Sequence, residues 1–275
     1  MKKALLAAAA AALVVVTGAA QADQLADIQK KGEIVVGVLG TDEPNSFIDP
    51  KTRELVGYDV DLGNAVAKKI GVKPVFKQIT VAARIPELQQ GHVDLLAASL
   101  THNKEREAQI DFSLTTLIVG QNVLVKKSSG IKDVPELAGK RVVTVKGGTQ
   151  EPNIRKAVPT ATVVTFETAP QAFVALQQGK GVGFVNDSVS LARAVVQLGD
   201  KAGDYQILPT NLSVEPLALG IKKGEASLKK VVDEALRELE ASGKADHLYE
   251  QWYGQNSALK LPKRNFKIDS DKIAD

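Results

Sequence analysis

Within Asp94–Arg106 (DLLAASLTHNKER) a serine, a threonine, a histidine and an arginine follow directly on a short apolar run. Leu95–Ala98 reads as a buried strand that stops at Ser99; the chain opens at Thr101 and re-enters a helix near Asn103. A hydroxyl and a guanidinium then stand at the C-terminal mouth of a strand. In open α/β sheets ligands bind there, because loops and helix N-termini converge without burying unpaired backbone groups. Arg106 falls in the first turn of its helix, where the dipole opposes a cation. Its expected role is bidentate capture of a carboxylate; the plain alternative is a surface arginine.

A second mouth is expected at Lys146–Gln150 (KGGTQ), where a strand runs into glycines and then a helix. Free N–H groups at that helix start, with the Thr149 hydroxyl, suit an anion. It is not a P-loop, since GxxxxGK[ST] is absent, and an ordinary glycine-rich turn is the alternative. A third strand ends in Asn186-Asp187-Ser188. Asp187 reads as a helix N-cap, as a carboxylate aimed into a cleft, or as both. With Arg106 and Thr149 on a carboxylate and Asp187 on an ammonium, the ligand is a free α-amino acid.

Other chemistries fit less well. Ser99, His102 and Asp187 are the residue types of a hydrolase triad, but no GxSxG elbow surrounds Ser99 and His102 follows it too closely to face it. His92, His102 and His247 lack metal-ligand spacing and no HExxH occurs, so no metal is expected. Gly179–Gly183 is glycine-rich but precedes a strand, so it is no dinucleotide fingerprint and no cofactor is expected.

The elements that must position these groups follow in order. Residues 1–22 have a basic start, an apolar run from Ala4 to Val16 and Ala20-Gln21-Ala22 as a cleavage site, which together read as a secretory signal peptide. Beyond it, 33 basic residues face 32 acidic ones, which gives no reason to expect a nucleic-acid partner. There is no cysteine, so neither disulfides nor a lipid-modified N-terminal cysteine is expected, and the protein should be free in the periplasm.

Strands at Ile34–Val38, Val75–Phe76 and Val93–Ala98 alternate with helices from Asp61 and over Ile85–Gln90, giving a parallel βαβαβ unit. Thr41–Leu55 between them reads as a polar loop. A second unit repeats the grammar: strands Arg141–Val145, Thr162–Phe166 and Val182–Asn186, helices Gln150–Ala157 and Ala169–Gln178. Leu88-Gln89-Gln90-Gly91 and Leu176-Gln177-Gln178-Gly179 occupy the same place in each. Two β-rich connectors, Leu117–Lys126 and Pro216–Lys222, bracket the second unit, so it is expected as an insertion hinged on two strands. The lobes are expected at 23–119 with 217–275, and at 120–216, with hinge strands near 118–126 and 214–222. A long helix over Glu225–Ser242 should bury Leu228, Val232, Leu236 and Leu239 and present the charged stretch Asp233–Lys244 to solvent.

With these residues in hand, the chain resembles the family 3 extracellular solute-binding proteins, the polar amino-acid-binding components of ABC importers. The resemblance is carried by GYDVDLGNAVAKKIG (Gly57–Gly71), DLLAASLTHNKEREAQIDFS (Asp94–Ser113), VKGGTQ, FVNDS and LYEQWYG. RIPELQQG and the ending around Asn265-Phe266 are similar to the glutamate/aspartate-binding branch. The resemblance implies a type II periplasmic-binding-protein-like α/β fold of two lobes, an amino-acid ligand (glutamate, aspartate or glutamine), a membrane permease as partner, and a monomer.

It also implies roles. Arg106, Thr101, Thr149 and Gln150 would hold the α-carboxylate; Ser99, Thr101 and Asp187 would hold the ammonium. Arg84 sits where the acidic-amino-acid branch places a side-chain-reading arginine. That branch's second arginine and its histidine correspond here to Leu39 and Ala169, and the aromatic platform of other relatives to Asp42 and Val81. A rival on the same scaffold is a cyclohexadienyl dehydratase, which needs a carboxylic acid as proton donor; the glutamate expected shortly after Asp187 is absent from Ser188-Val189-Ser190-Leu191.

Overall fold

The computed structural model of the protein describes residues 23–274; the expected signal peptide lies outside them. Helix α1 (Gln24–Lys31) leads into β1 (Glu33–Val38), and three short strands follow, β2 (Thr41–Asp42), β3 (Ser46–Ile48) and β4 (Leu55–Val56). These three form a small antiparallel sheet where the sequence reads as loop. Helix α2 (Tyr58–Ile70), β5 (Lys73–Gln78), α3 (Arg84–Gln89) and β6 (Leu95–Leu96) complete the first unit. The expected six-residue third strand is a two-residue ladder, extended at each end by single bonds: Asp94 N–H to the Val35 carbonyl at 2.8 Å and Ala97 N–H to the Gly37 carbonyl at 2.9 Å.

A four-residue helix, α4 (Lys104–Glu107), precedes the 17-residue strand β7 (Ile110–Lys126). The second unit holds β8 (Arg141–Val145), α5 (Gln150–Ala157), β9 (Thr162–Phe166), α6 (Ala169–Gln177), β10 (Gly183–Asp187), α7 (Ser188–Leu198) and β11 (Tyr205–Ile207). Strand β12 (Ser213–Lys222) returns the chain to α8 (Ala226–Ala241) and α9 (Lys244–Trp252).

The two units share one grammar. β1 pairs in parallel with β5 and β6, and β8 pairs in parallel with β9 and β10, so the first strand is central in each. The repeated LQQG phrases end α3 and α6 in matching turns, with Gly91 and Gly179 at φ 72° and 74°, conformations that favour glycine. The two connectors pair with each other: β7 and β12 run antiparallel from Ile110↔Lys222 to Gln121↔Ser213. The far end of β12 joins β6, while the far end of β7 joins β10 and β11. A single sheet in the order β5-β1-β6-β12-β7-β10-β8-β9 therefore runs through both lobes.

Burial follows this division. Leu62 and Val66 of α2 pack with Leu228, Val232 and Leu236 of α8 in the largest core, and other clusters lie under the second unit, around Val142 and Ile154 and around Phe173 and Phe184. Asp233 departs from the solvated face expected for it. It is buried, accepts the Leu114 N–H at 2.9 Å and the Lys229 ammonium at 2.8 Å, and so ties α8 to β7. A buried carboxylate is tolerable because both oxygens are partnered.

Candidate functional site

The loops after β1, β5 and β6 face the loops after β8, β9 and β10, and between them lies a cleft of about 300 Å³. From the first lobe it is bordered by Leu39, Asp42, Val81, Arg84, Ser99 and Thr101, and from the second by Thr149, Gln150, Ala169 and Asp187. Gln78, Asn186 and Ser190, which sequence reasoning did not single out, also border it. Every residue named for a ligand role from sequence lies on this cleft except Arg106.

Arg106 is buried just outside the lining. Asn103 caps its turn, accepting the Arg106 N–H at 2.9 Å. The guanidinium donates to the Thr101 carbonyl at 2.9 Å and, across the lobes, to the Gly147 carbonyl at 3.4 Å. Two of its five N–H groups are thus engaged with protein.

Arg84 is more fully committed. It is 4% exposed and donates to the carbonyls of Val81 (2.9 Å), Ala98 (2.9 Å) and Ser99 (2.8 Å), with a longer contact to Gly147 at 3.4 Å. The Ser99 carbonyl, expected to meet a ligand ammonium, therefore already accepts a protein cation. Arg84 thus organises the loop, with four of its five N–H groups directed at backbone carbonyls while it borders the cleft.

Two carboxyl groups meet Ser99, which holds a positive φ of 48°, and a third, Asp187, borders the same cleft from the other lobe. Its hydroxyl donates to Asp42 at 2.6 Å, and its N–H donates to Asp59 at 2.9 Å. Burial and the neighbouring Asp42 push the Asp59 carboxyl up to about 7. Asp187 takes both of its compatible roles: it caps α7, accepting the Val189 and Ser190 N–H groups at 2.9 Å and the Ser190 hydroxyl at 2.7 Å, while it faces the cleft. Burial first, then Asp42, raises its carboxyl to about 6. Burial also raises Asp42 itself.

The two threonine hydroxyls meet a buried acid. Thr101 and Thr149 both donate their hydroxyl hydrogens, at 2.9 Å each, to one oxygen of Glu215. Thr149 also accepts from the Gln121 amide at 3.2 Å. A hydroxyl has one hydrogen, so neither is free to donate to a ligand carboxylate. Glu215 was missed because it precedes Pro216, where the connector strand seemed to begin. Alternation pointed the wrong way, since the apolar Val214 is exposed and the charged Glu215 beside it is buried. Gln150 donates to the Asn186 side chain at 3.0 Å, linking the start of α5 to the end of β10.

Comparison with known proteins adds to this geometry. The model of the bacterial extracellular solute-binding proteins, family 3, matches residues 34–255. The ABC transporter glutamine-binding protein of Bacillus subtilis is 34% identical over 243 residues, 87% of this chain and 88% of that protein. The L-glutamate/L-aspartate-binding protein of Pseudomonas aeruginosa is 32% identical over 266 residues, 91% and 87% of the two chains. Among solved structures, an ancestral arginine-binding protein bound to arginine superposes with a TM-score of 0.76 at 34% identity, covering 81% of this chain and 99% of that one. An ancestral amino-acid-binding protein described as a precursor of cyclohexadienyl dehydratase gives 0.75 at 32%, covering 84% and 99%.

Proposed function

From the fact that this chain belongs to the bacterial extracellular solute-binding proteins of family 3, we propose that it is the periplasmic binding component of an ABC importer, monomeric, exported by a cleaved signal peptide, and that it delivers a polar L-amino acid to a membrane permease. The observation that carries the reading is the cleft. Groups of opposite charge, Arg106 beside it and Asp187 on it, approach one small volume from opposite lobes. In this reading residues 23–119 with 217–275 and residues 120–216 move as lobes about β7 and β12. The ammonium goes to Asp187 and the carboxylate to Arg106 and the N–H groups at the start of α5.

The residues also favour one kind of side chain. With Arg84 engaged by backbone carbonyls, Asp42 stands at the cleft with Leu39, Val81 and Ala169 about it. An acceptor in an apolar surround selects a donor, an amide or a cation, over a carboxylate. Glutamine therefore fits better than glutamate or aspartate. A thermal-shift screen against the twenty amino acids, followed by titration calorimetry, tests this, because a ligand bound only by the native state raises its melting temperature. Glutamine is expected to bind at least about tenfold tighter than glutamate; equal or reversed affinities would remove the side-chain assignment, and no response to any amino acid would remove the function.

The chain is read as a binding protein and not as an enzyme. Both oxygens of Asp187 accept hydrogen bonds, an arrangement suited to holding an ammonium. Prephenate or arogenate turnover by the purified protein would reverse that reading.

A further inference from the structure

Glu215 is 3% exposed and lies on β12 opposite Val119 of β7, where the chain passes between lobes. One of its oxygens accepts from Gln121 at 3.1 Å, Asn153 at 3.2 Å and Ser213 at 3.2 Å. These donors belong to the two hinge strands and to α5 of the second lobe. The other oxygen accepts Thr101 from the first lobe and Thr149 from the second, both at 2.9 Å. Five donors saturate a carboxylate, and the positive field of Arg84 and Arg106 reaches it as well.

We propose that Glu215 is an interlobe tie, a positioning residue that holds the cleft closed without ligand by gripping one hydroxyl from each lobe on a single oxygen. Rotation of the lobes separates Thr101 from Thr149, and one oxygen cannot follow both. The pair of bonds therefore exists only in the closed form and stabilises it selectively. Other interlobe contacts are weaker: Arg84 and Arg106 reach the Gly147 carbonyl at only 3.4 Å, and the rim pairs Arg193 with Glu43 at 2.5 Å. That pair is partly solvated, where ion pairs contribute little, whereas buried bonds to a charged acceptor are among the stronger ones. The tie touches no ligand, so it multiplies every ligand's apparent affinity by one common factor, set by the closed fraction.

The affinity half of this inference rests on the amino-acid reading; the conformational half does not. Because the chain has no cysteine, the variants Lys68→Cys and Lys180→Cys, at exposed sites of the two lobes, accept a pair of fluorophores or spin labels. Distance distributions are then measured on the mature protein without ligand. The Glu215 protein is expected to show a closed population; Glu215→Gln and Thr149→Val should deplete it about tenfold, with Thr149→Ser restoring it. Thr149→Val keeps the carboxylate and decides the question should Glu215→Gln fail to fold.

In titrations with several amino acids, Glu215→Gln is expected to weaken each by the same factor. A ligand-free protein with no closed population overturns the tie, as do variants that leave the distances unchanged or losses that differ from one amino acid to the next. If no amino acid binds any form, the function fails while the distances still decide the tie.

Discussion

The carboxyl groups at Ser99 and on the facing lobe carry a pH signature whose sign can be worked out. Asp187 and Asp59 have native values near 6 and 7, above the ordinary carboxylate range, because burial penalises their charged forms and Asp42 adds repulsion. Between about pH 4 and those values the native protein holds more protons than the unfolded chain, so stability from these groups is lost as pH rises through that window. A ligand ammonium needs the ionised form of Asp187, so affinity moves the other way. Below about pH 6 ligand affinity should fall by up to about tenfold per pH unit. Thermal unfolding of the ligand-free protein from about pH 4 to 7 should show wild type losing stability relative to Asp187→Asn up to about pH 6 and levelling off above it. Calorimetric titration across the same range supplies the other half; an affinity flat from pH 5 to 7 would take Asp187 out of the ammonium site. Asp187 was readable from sequence because a strand end followed by Asp-Ser is a local signal. Asp59 and Glu215 were not, since their partners lie 40 and 114 residues away at Ser99 and Thr101 and only folding brings them together.

At the scale of elements, legibility tracked length and repetition. β8, α5 and β9 begin and end where apolar periodicity and glycine punctuation put them. The β2–β3–β4 sheet was hidden because strands of two or three residues are too short to show alternation. The turn between β8 and α5 supplies the prediction at this scale. Gly147 has φ 81°, and a Cβ placed there would stand 2.6 Å from the Ala82 backbone of the opposite lobe. Gly147→Ala therefore meets two costs, the left-handed backbone, about 1–2 kcal/mol, and a collision that only a wider cleft relieves. Ligand affinity should drop by about tenfold or more, with a larger radius of gyration by small-angle scattering at ligand saturation and only a modest change in melting temperature. An unchanged affinity would mean that the cleft closes less tightly around the ligand than this contact requires.

For the whole molecule, the decisive feature is that the sheet does not stop at the lobe boundary. β7 and β12 lie side by side through it, so opening must be absorbed as twist in two paired strands. That favours a small set of discrete lobe arrangements over free swinging. The same topology orders assembly in time. β12 lies between β6 and β7, so the first lobe's sheet stays split until residues near the end of the chain arrive. Even then, Ala274 must still bond the His102 carbonyl behind the cleft loop. The second lobe's strands β8 to β11 are contiguous and need only the preceding β7. Local closure costs less entropy than distant closure, so pulsed hydrogen exchange during refolding should protect Val142–Val145 and Phe184–Asn186 before Val36 and Leu95. A chain threaded N-terminus first through a translocation pore would thus complete its inserted lobe while the first one waits for its missing strand, leaving the edges of β6 and β7 open to chaperones or proteases until β12 emerges.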